Sequence, residues 1–415
     1  KVIWKFQDFR SHLFLIRTTH LFTLGIKMRK YSERGFKNLE FLRFLLIFAV
    51  VGVHLAYLNL SSTEEYSWLV KWGAGWQAVE MFFLMSGFFL FYKLNTEETV
   101  LHFALRKWLR LAPFVIALTF IGYIATGFDI YQYPLSVNIF NSLLLLDWNT
   151  HHFGPDATIL YVAWFVNVLF FVSVIYFCIL KALKHEQANL VIGAISFICL
   201  FMYSRHMYII VPFIYPLVRA FAYVGFGYLL SEIYKSYLLH KDDNSVQINL
   251  HSNVKTCAIS IVEAILLIAI VISLYAGSTG VPVPDGLSIP PEQIQFLNAQ
   301  TWFPDLTRWA LGGVWLQLCF VGLFWLFLLN KGLVSRILNN KFSVILGSYS
   351  YAIFLGHTIV IRAIKDYIDL QKISFVFEHN FIFVALLCLL IFIFAVIIHH
   401  LVEMPLIKMV SKILR

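Results

Sequence analysis

The stretch Leu42-Arg43-Phe44-Leu45-Leu46-Ile47-Phe48-Ala49-Val50-Val51-Gly52-Val53-His54 lies in the first of ten apolar windows, and the reading of those windows decides the fold. Each approaches the roughly 20 residues that carry a helix across a hydrocarbon core. They fall at about 39–60, 76–94, 104–126, 160–182, 188–204, 212–234, 255–277, 308–330, 342–362 and 380–402. The alternating ten-residue strands of a barrel are missing from the pattern. Composition agrees: of 415 residues, 60% are apolar and 13% charged, which leaves too little polar surface to clothe a soluble domain. The expected fold class is all-α, a polytopic integral membrane protein of about ten transmembrane helices in contact with membrane lipid. Residues 1–37 are expected as a cytoplasmic N-terminal segment, 38–403 as the transmembrane domain and 404–415 as a cytoplasmic tail.

Lysine and arginine set the orientation. With the N-terminus in the cytoplasm, 24 of the 32 fall inside and six outside, while Arg43 and Arg219 stay within spans. That asymmetry is the positive-inside pattern, and it puts both termini in the cytoplasm of a multi-pass protein of the cell membrane. The net charge of +9 is scattered among helix ends, whereas nucleic acid would need one basic face with stacking aromatics; no nucleic-acid partner is expected. Cys178, Cys199, Cys257, Cys319 and Cys388 stand singly in or beside apolar segments, so neither a disulfide framework nor a metal site is expected. Met28 is a candidate start. The residues before it hold an apolar stretch broken by Arg17 and no small-residue cleavage site, which disfavours a removable signal peptide.

Two connections on the outer side, 128–159 and 278–305, contain no Lys or Arg but carry Asp129, Asp147, Asp156, Asp285, Glu292 and Asp305 beside Tyr131, Tyr133, Trp148 and Trp302. Rings stacking on sugar faces beside acids that accept hydroxyl protons would make a carbohydrate-binding lip. An interfacial aromatic belt accounts for the rings equally well. The apolar run Leu143–Leu146 is a candidate short re-entrant or surface helix.

Ionisable residues inside spans cost about 2.5–3.5 kcal/mol each on insertion scales, so their retention points to function. Arg43 and His54 are eleven residues apart. At about 100° per residue they share a face, with a rise of about 16 Å between them. A snorkelling anchor and a polar interhelical contact are the plain alternatives for each alone; together on one face they favour a path. Glu80 in the second span is expected at the depth of His54, where a carboxylate can orient an imidazole and raise its basicity. Ser86 and Gly87 follow on that span as a candidate substrate contact or a small-residue packing pair. Arg106 and Arg110, one turn apart, can present two guanidinium forks to a phosphate or act simply as topogenic charge. Arg219 in the sixth span and His357 in the ninth are candidate contacts to acceptor or donor, or members of a structural network. Glu403-Met404-Pro405 reads as the end of the last span.

In their order these segments resemble the acyltransferase-3 family of membrane-bound sugar O-acyltransferases, from about residue 36 onward. The resemblance rests on Arg43-x10-His54, on Phe82-Phe83-x-x-Ser86-Gly87-Phe88, on Arg106-x-x-x-Arg110-Leu111-x-Pro113, and more loosely on Trp164-Phe165, Arg219 with Phe221 and Gly225, the Ser348-Tyr349-Ser350 segment ending at His357, and Glu403-x-Pro405. It implies transfer of an acyl group, commonly acetyl, from cytoplasmic acyl-CoA to a carbohydrate hydroxyl on or near the outer face. It implies further that Arg43 and His54 are the essential pair and that the Arg106/Arg110 region lies near the coenzyme A phosphates. Many members have Asp where Glu80 stands, and a Glu downstream of a Trp-Ser-Leu motif where this chain reads Trp164-Phe165-Val166-Asn167. The rival from another class is a proton-coupled transporter of a saccharide or lipid-linked intermediate, with His54 and Glu80 as a relay; repeat symmetry, frequent in transporters, is not evident.

Overall fold

The structure is a computed structural model that describes residues 36–56, 77–95, 97–127, 129–145, 158–204, 215–243, 252–276, 314–371 and 380–413. Among the described residues every regular element is helical. In chain order they are α1 (Lys37–Ala56), α2 (Ala78–Tyr92), α3 (Val100–Ala125), α4 (Leu135–Ser142), α5 (Trp164–Ala182), α6 (His185–Ser204), α7 (Tyr215–Asp243), α8 (Ser252–Ala276), α9 (Val314–Leu329), α10 (Leu333–Ile337), α11 (Lys341–Ser348), α12 (Ser350–Gln371), α13 (Asn380–Ile398) and α14 (Met404–Ile413). A helix lies in each of the ten expected windows. Among the described residues six stretches are long and apolar enough to cross a membrane: Lys37–Leu55, Val100–Ala125, Tyr161–Ala182, His185–Tyr203, Lys341–Lys365 and Phe381–Ile413. Ala78–Tyr92, Thr256–Ile272 and Leu316–Leu329 are shorter apolar helices. The protein is therefore a multi-pass membrane protein, and the large apolar side chains that α6 and α13 expose, such as Leu190, Phe197, Phe381 and Leu389, are suited to lipid.

The tightest crossing is between α2 and α7. A Cβ on Gly87 would run into the Val224 backbone carbonyl, and one on Gly227 into the Leu84 carbonyl, with the Gly87 Cα 3.0 Å away. Two glycines thus let two backbones touch, the means by which apolar helices gain contact where lipid is as apolar as they are. Polar side chains then close the helix ends that meet at one level. Asn38 in the first turn of α1 donates to the Phe327 carbonyl at 2.8 Å, Tyr234 donates to Leu328 at 3.3 Å, and Lys235 donates to Phe91 at 3.0 Å. The carbonyls left over at the ends of α9 and α2 find donors there. At the opposite ends of α2, α7 and α9 stand Glu80, Arg219 and Gln317, so these three helices run in one direction and α1 runs against them between the two levels.

Two expectations change. The short helix expected at Leu143–Leu146 lies just upstream as α4, and Leu144, with φ 60°, turns the chain out of it. Trp108 secures that turn by donating its indole N–H to the Leu143 carbonyl at 2.9 Å. The last span does not end at Glu403. A π turn over His399–Glu403 continues into α14, because Pro405 has no N–H to give and the ladder widens beside it. Glu403 is buried there, against His399 Nδ1 at 2.7 Å.

Candidate functional site

His54 lies in the last turn of α1, partly buried, and His357 lies buried in α12. His54 Nδ1 and His357 Nε2 are 2.6 Å apart. The ring planes are within 14° of parallel and the centroids 4.8 Å apart. Nitrogens so close cannot belong to rings stacked face to face, whose planes stand a van der Waals contact apart, so the imidazoles meet edge to edge across a hydrogen bond. The other nitrogen of His357, Nδ1, is 3.0 Å from the Ile353 carbonyl. Tyr161 sets its ring against His54 with centroids 5.1 Å apart. Arg362 lies over the Tyr133 and Tyr161 rings at 4.9 and 5.9 Å and donates to the Ile159 carbonyl at 3.1 Å.

Glu80 does not orient His54. Its carboxylate is taken by other partners: Tyr203 donates to Oε1 at 2.5 Å, Gln317 donates to Oε2 at 2.8 Å, and the Arg219 guanidinium stands 3.6 Å from Oε1. Both members of the ion pair are buried, and a buried guanidinium draws the nearest carboxylate because neither charge can stand alone in the bilayer interior. Equal depth on two helices did not mean facing directions. Arg219 also lies over Trp164 and Tyr203 at 5.7 and 5.8 Å. From this network a run of rings leads to the histidines: Phe83 touches Trp164 and Phe165, Phe165 touches Phe354, and Phe354 lies beside His357.

At the other end of α1, Arg43 is half-buried, bonded to Glu40 at 2.9 Å and placed over the Phe89 ring at 5.6 Å. The continuous helix from Lys37 to Ala56 keeps the rise of about 16 Å between Arg43 and His54. Arg106 is paired with Glu98. Its Nε and Nη2 donate to both oxygens of Glu98 at 2.8 and 2.7 Å, fork upon fork, while His102 shares Oε1 at 2.6 Å. Those Arg106 bonds hold the Glu98 carboxyl below its usual range. Arg110 is exposed, within electrostatic reach of Glu403 and Tyr351. Ser86 is partly buried next to the Gly87 crossing. Trp148 lies outside the described residues. Among the described residues no group of three or more His, Cys, Asp or Glu side chains is gathered to hold a metal ion.

The structure thus joins His54 to His357 and Glu80 to Arg219, and leaves Arg43 and Arg110 at the basic end. Gln317 stood out in sequence only as one amide in an apolar run, and Tyr203 had no signal beyond a hydroxyl near a span end. Arg362, at the edge of the ninth window, is one of the six basic residues that the charge pattern places outside.

The profile of an acyltransferase domain, that of the acyltransferase-3 family, matches residues 36–400. No curated protein and no solved structure matches the chain.

Proposed function

The chain belongs to the acyltransferase-3 family, and from that premise we propose that it moves an acyl group, acetyl foremost, from cytoplasmic acyl-CoA to a hydroxyl of a cell-surface or exported glycan. In this reading ten helices cross the cell membrane with both termini in the cytoplasm, so that the Arg43 end of α1 faces the donor and the His54 end the acceptor. Arg43 and Arg110 hold the coenzyme A phosphates. The pantetheine arm, comparable in length to the rise along α1, brings the thioester to His54. Arg106, locked to Glu98, braces the start of α3, the helix that presents Arg110.

The chemistry then needs one nitrogen. The His54 imidazole takes the proton of the acceptor hydroxyl as that oxygen bonds to the thioester carbonyl carbon. The carbon–sulfur bond breaks, and the departing thiolate takes the proton back from His54, leaving an ester and free coenzyme A. A two-step route, in which the imidazole itself accepts the acyl group and passes it on, uses the same nitrogen. Glu80 and Arg219 act behind this chamber as a buried electrostatic support. Ser86 contacts the substrate, and Trp148 stacks on the acceptor sugar.

The observation that supports this reading best is a histidine pair held inside the membrane domain, on the helix that begins with Arg43. The test is transfer of radiolabelled acetyl from acetyl-CoA to a polysaccharide by purified protein in liposomes. Wild type should build base-labile label into the polysaccharide, and His54→Ala should build none. Undiminished transfer by His54→Ala overturns the assignment.

A further inference from the structure

A carbonyl can only accept, so the 3.0 Å contact from His357 Nδ1 to the Ile353 carbonyl places a proton on that nitrogen. In a neutral ring the other nitrogen, Nε2, is then the one with the lone pair. His54 Nδ1 meets that lone pair at 2.6 Å, edge to edge, and must therefore bring the hydrogen. The reverse polarity would require His357 to carry protons on both nitrogens, a cation enclosed among α1, α12 and their aromatic neighbours, which costs far more than the neutral arrangement. One backbone carbonyl thus sets the tautomer of two rings in series. His54 is left with its proton on Nδ1 and its basic lone pair on Nε2.

We propose that His357 is a positioning residue for acyl transfer, fixing His54 as the Nδ1–H tautomer so that Nε2 is the nitrogen that takes the acceptor proton or the acyl group. The proposal rests on the acyl-transfer reading for what Nε2 does; the tautomer itself does not depend on it. A neutral imidazole does here what a carboxylate does for histidines in aqueous sites, and brings no charge into the bilayer to do so. When Nε2 takes up the proton, His54 becomes an imidazolium whose Nδ1–H bond to His357 is charge-assisted and stronger.

Two variants separate positioning from packing. His357→Gln keeps an oxygen acceptor near the place of Nε2, whereas His357→Leu fills the space with no acceptor. With acetyl-CoA and a polysaccharide acceptor, the Leu variant should lose roughly 100-fold in kcat, with the KM for acetyl-CoA within about twofold of wild type. The Gln variant should remain within roughly tenfold of wild type. In protein labelled with 15N-histidine, the His54 signals, identified by their loss in His54→Asn, should show Nδ1 protonated and Nε2 bare, and the Leu variant should lose that preference. A wild-type His54 protonated on Nε2 overturns the proposal, as does a Leu variant with undiminished kcat or Gln and Leu variants equally impaired. If the Leu variant does not fold, the wild-type tautomer and the Gln variant still decide. A correct tautomer in a wild-type protein that transfers no acetyl would sink the acyl-transfer reading and leave the tautomer assignment standing.

Discussion

At the scale of single residues, the membrane interior makes polar side chains settle their accounts with one another. Glu80 and Arg219 are the strongest case, both buried and 3.6 Å apart, with Tyr203 and Gln317 completing the carboxylate. Glu80→Ala should lower stability by about 3–5 kcal/mol, because it strands the guanidinium, and Glu80→Ala with Arg219→Met together should cost less than the sum of the two. Thermal unfolding in detergent followed by tryptophan fluorescence checks this; an additive pair would show that the ion pair carries no coupling. Outside the spans, Glu98 has its pKa depressed by Arg106. A depressed carboxyl adds stability above its unfolded value and loses it as pH falls through the folded one. The melting difference between wild type and Glu98→Gln should therefore be full at neutral pH and vanish below the usual carboxylate range. The sequence named Arg43, His54, Glu80, Arg219 and His357 as the ionisable residues that matter, because each interrupts an apolar run. It paired Glu80 with His54 where the structure pairs Glu80 with Arg219, because depth can be counted along a helix but facing direction between helices cannot.

At the scale of elements, backbone contact separates the glycines. In the α2–α7 crossing, a methyl on Gly87 would meet the Val224 carbonyl, which is backbone and cannot swing aside. On α1 a methyl on Gly52 would meet nothing within 4 Å. Gly87→Ala should thus cost about 1–3 kcal/mol, while Gly52→Ala should be neutral or stabilise by up to about 1 kcal/mol from helix propensity alone. The two melting temperatures, shifting in opposite directions or with only the first falling, check the assignment of the crossing. Each of the ten apolar windows holds a helix, including the short α2 and α9. The continuation of α7 to Asp243 could not be found from apolar runs, because Lys235 and Ser236 interrupt the run before Tyr237-Leu238-Leu239 and four polar residues follow it. Nor could the π turn at His399–Glu403, which depends on a hydrogen-bond register that side-chain pattern does not encode.

At the scale of the whole molecule, the two-level arrangement carries the proposed direction of transfer. Tyr131, 95% exposed, follows α3 on the side assigned to the acceptor, and Lys184, also exposed, joins α5 to α6 on the side assigned to the donor. In cells, a membrane-impermeant maleimide should label Tyr131→Cys from outside, and Lys184→Cys only after permeabilisation, each read against the unsubstituted chain. The opposite pattern would invert the orientation and with it the side on which acyl-CoA binds. Composition and the spread of basic residues were enough to read a helical membrane protein, whereas acyl transfer needed the ordered motifs that the match over residues 36–400 bears out at the level of the family.

The histidine pair joins residues 303 positions apart, and this bears on how the protein is made. At about 5–20 residues per second, a ribosome needs roughly 15–60 s to advance from one ring to the other. Throughout that interval His54 is already synthesised and its partner is not. The nascent first helix must hold a polar ring in or near the bilayer without its final hydrogen bond, and chains stopped before α12 can never set the tautomer. Under the proposed mechanism, a partly made copy lacking α12 would not spend acyl donor.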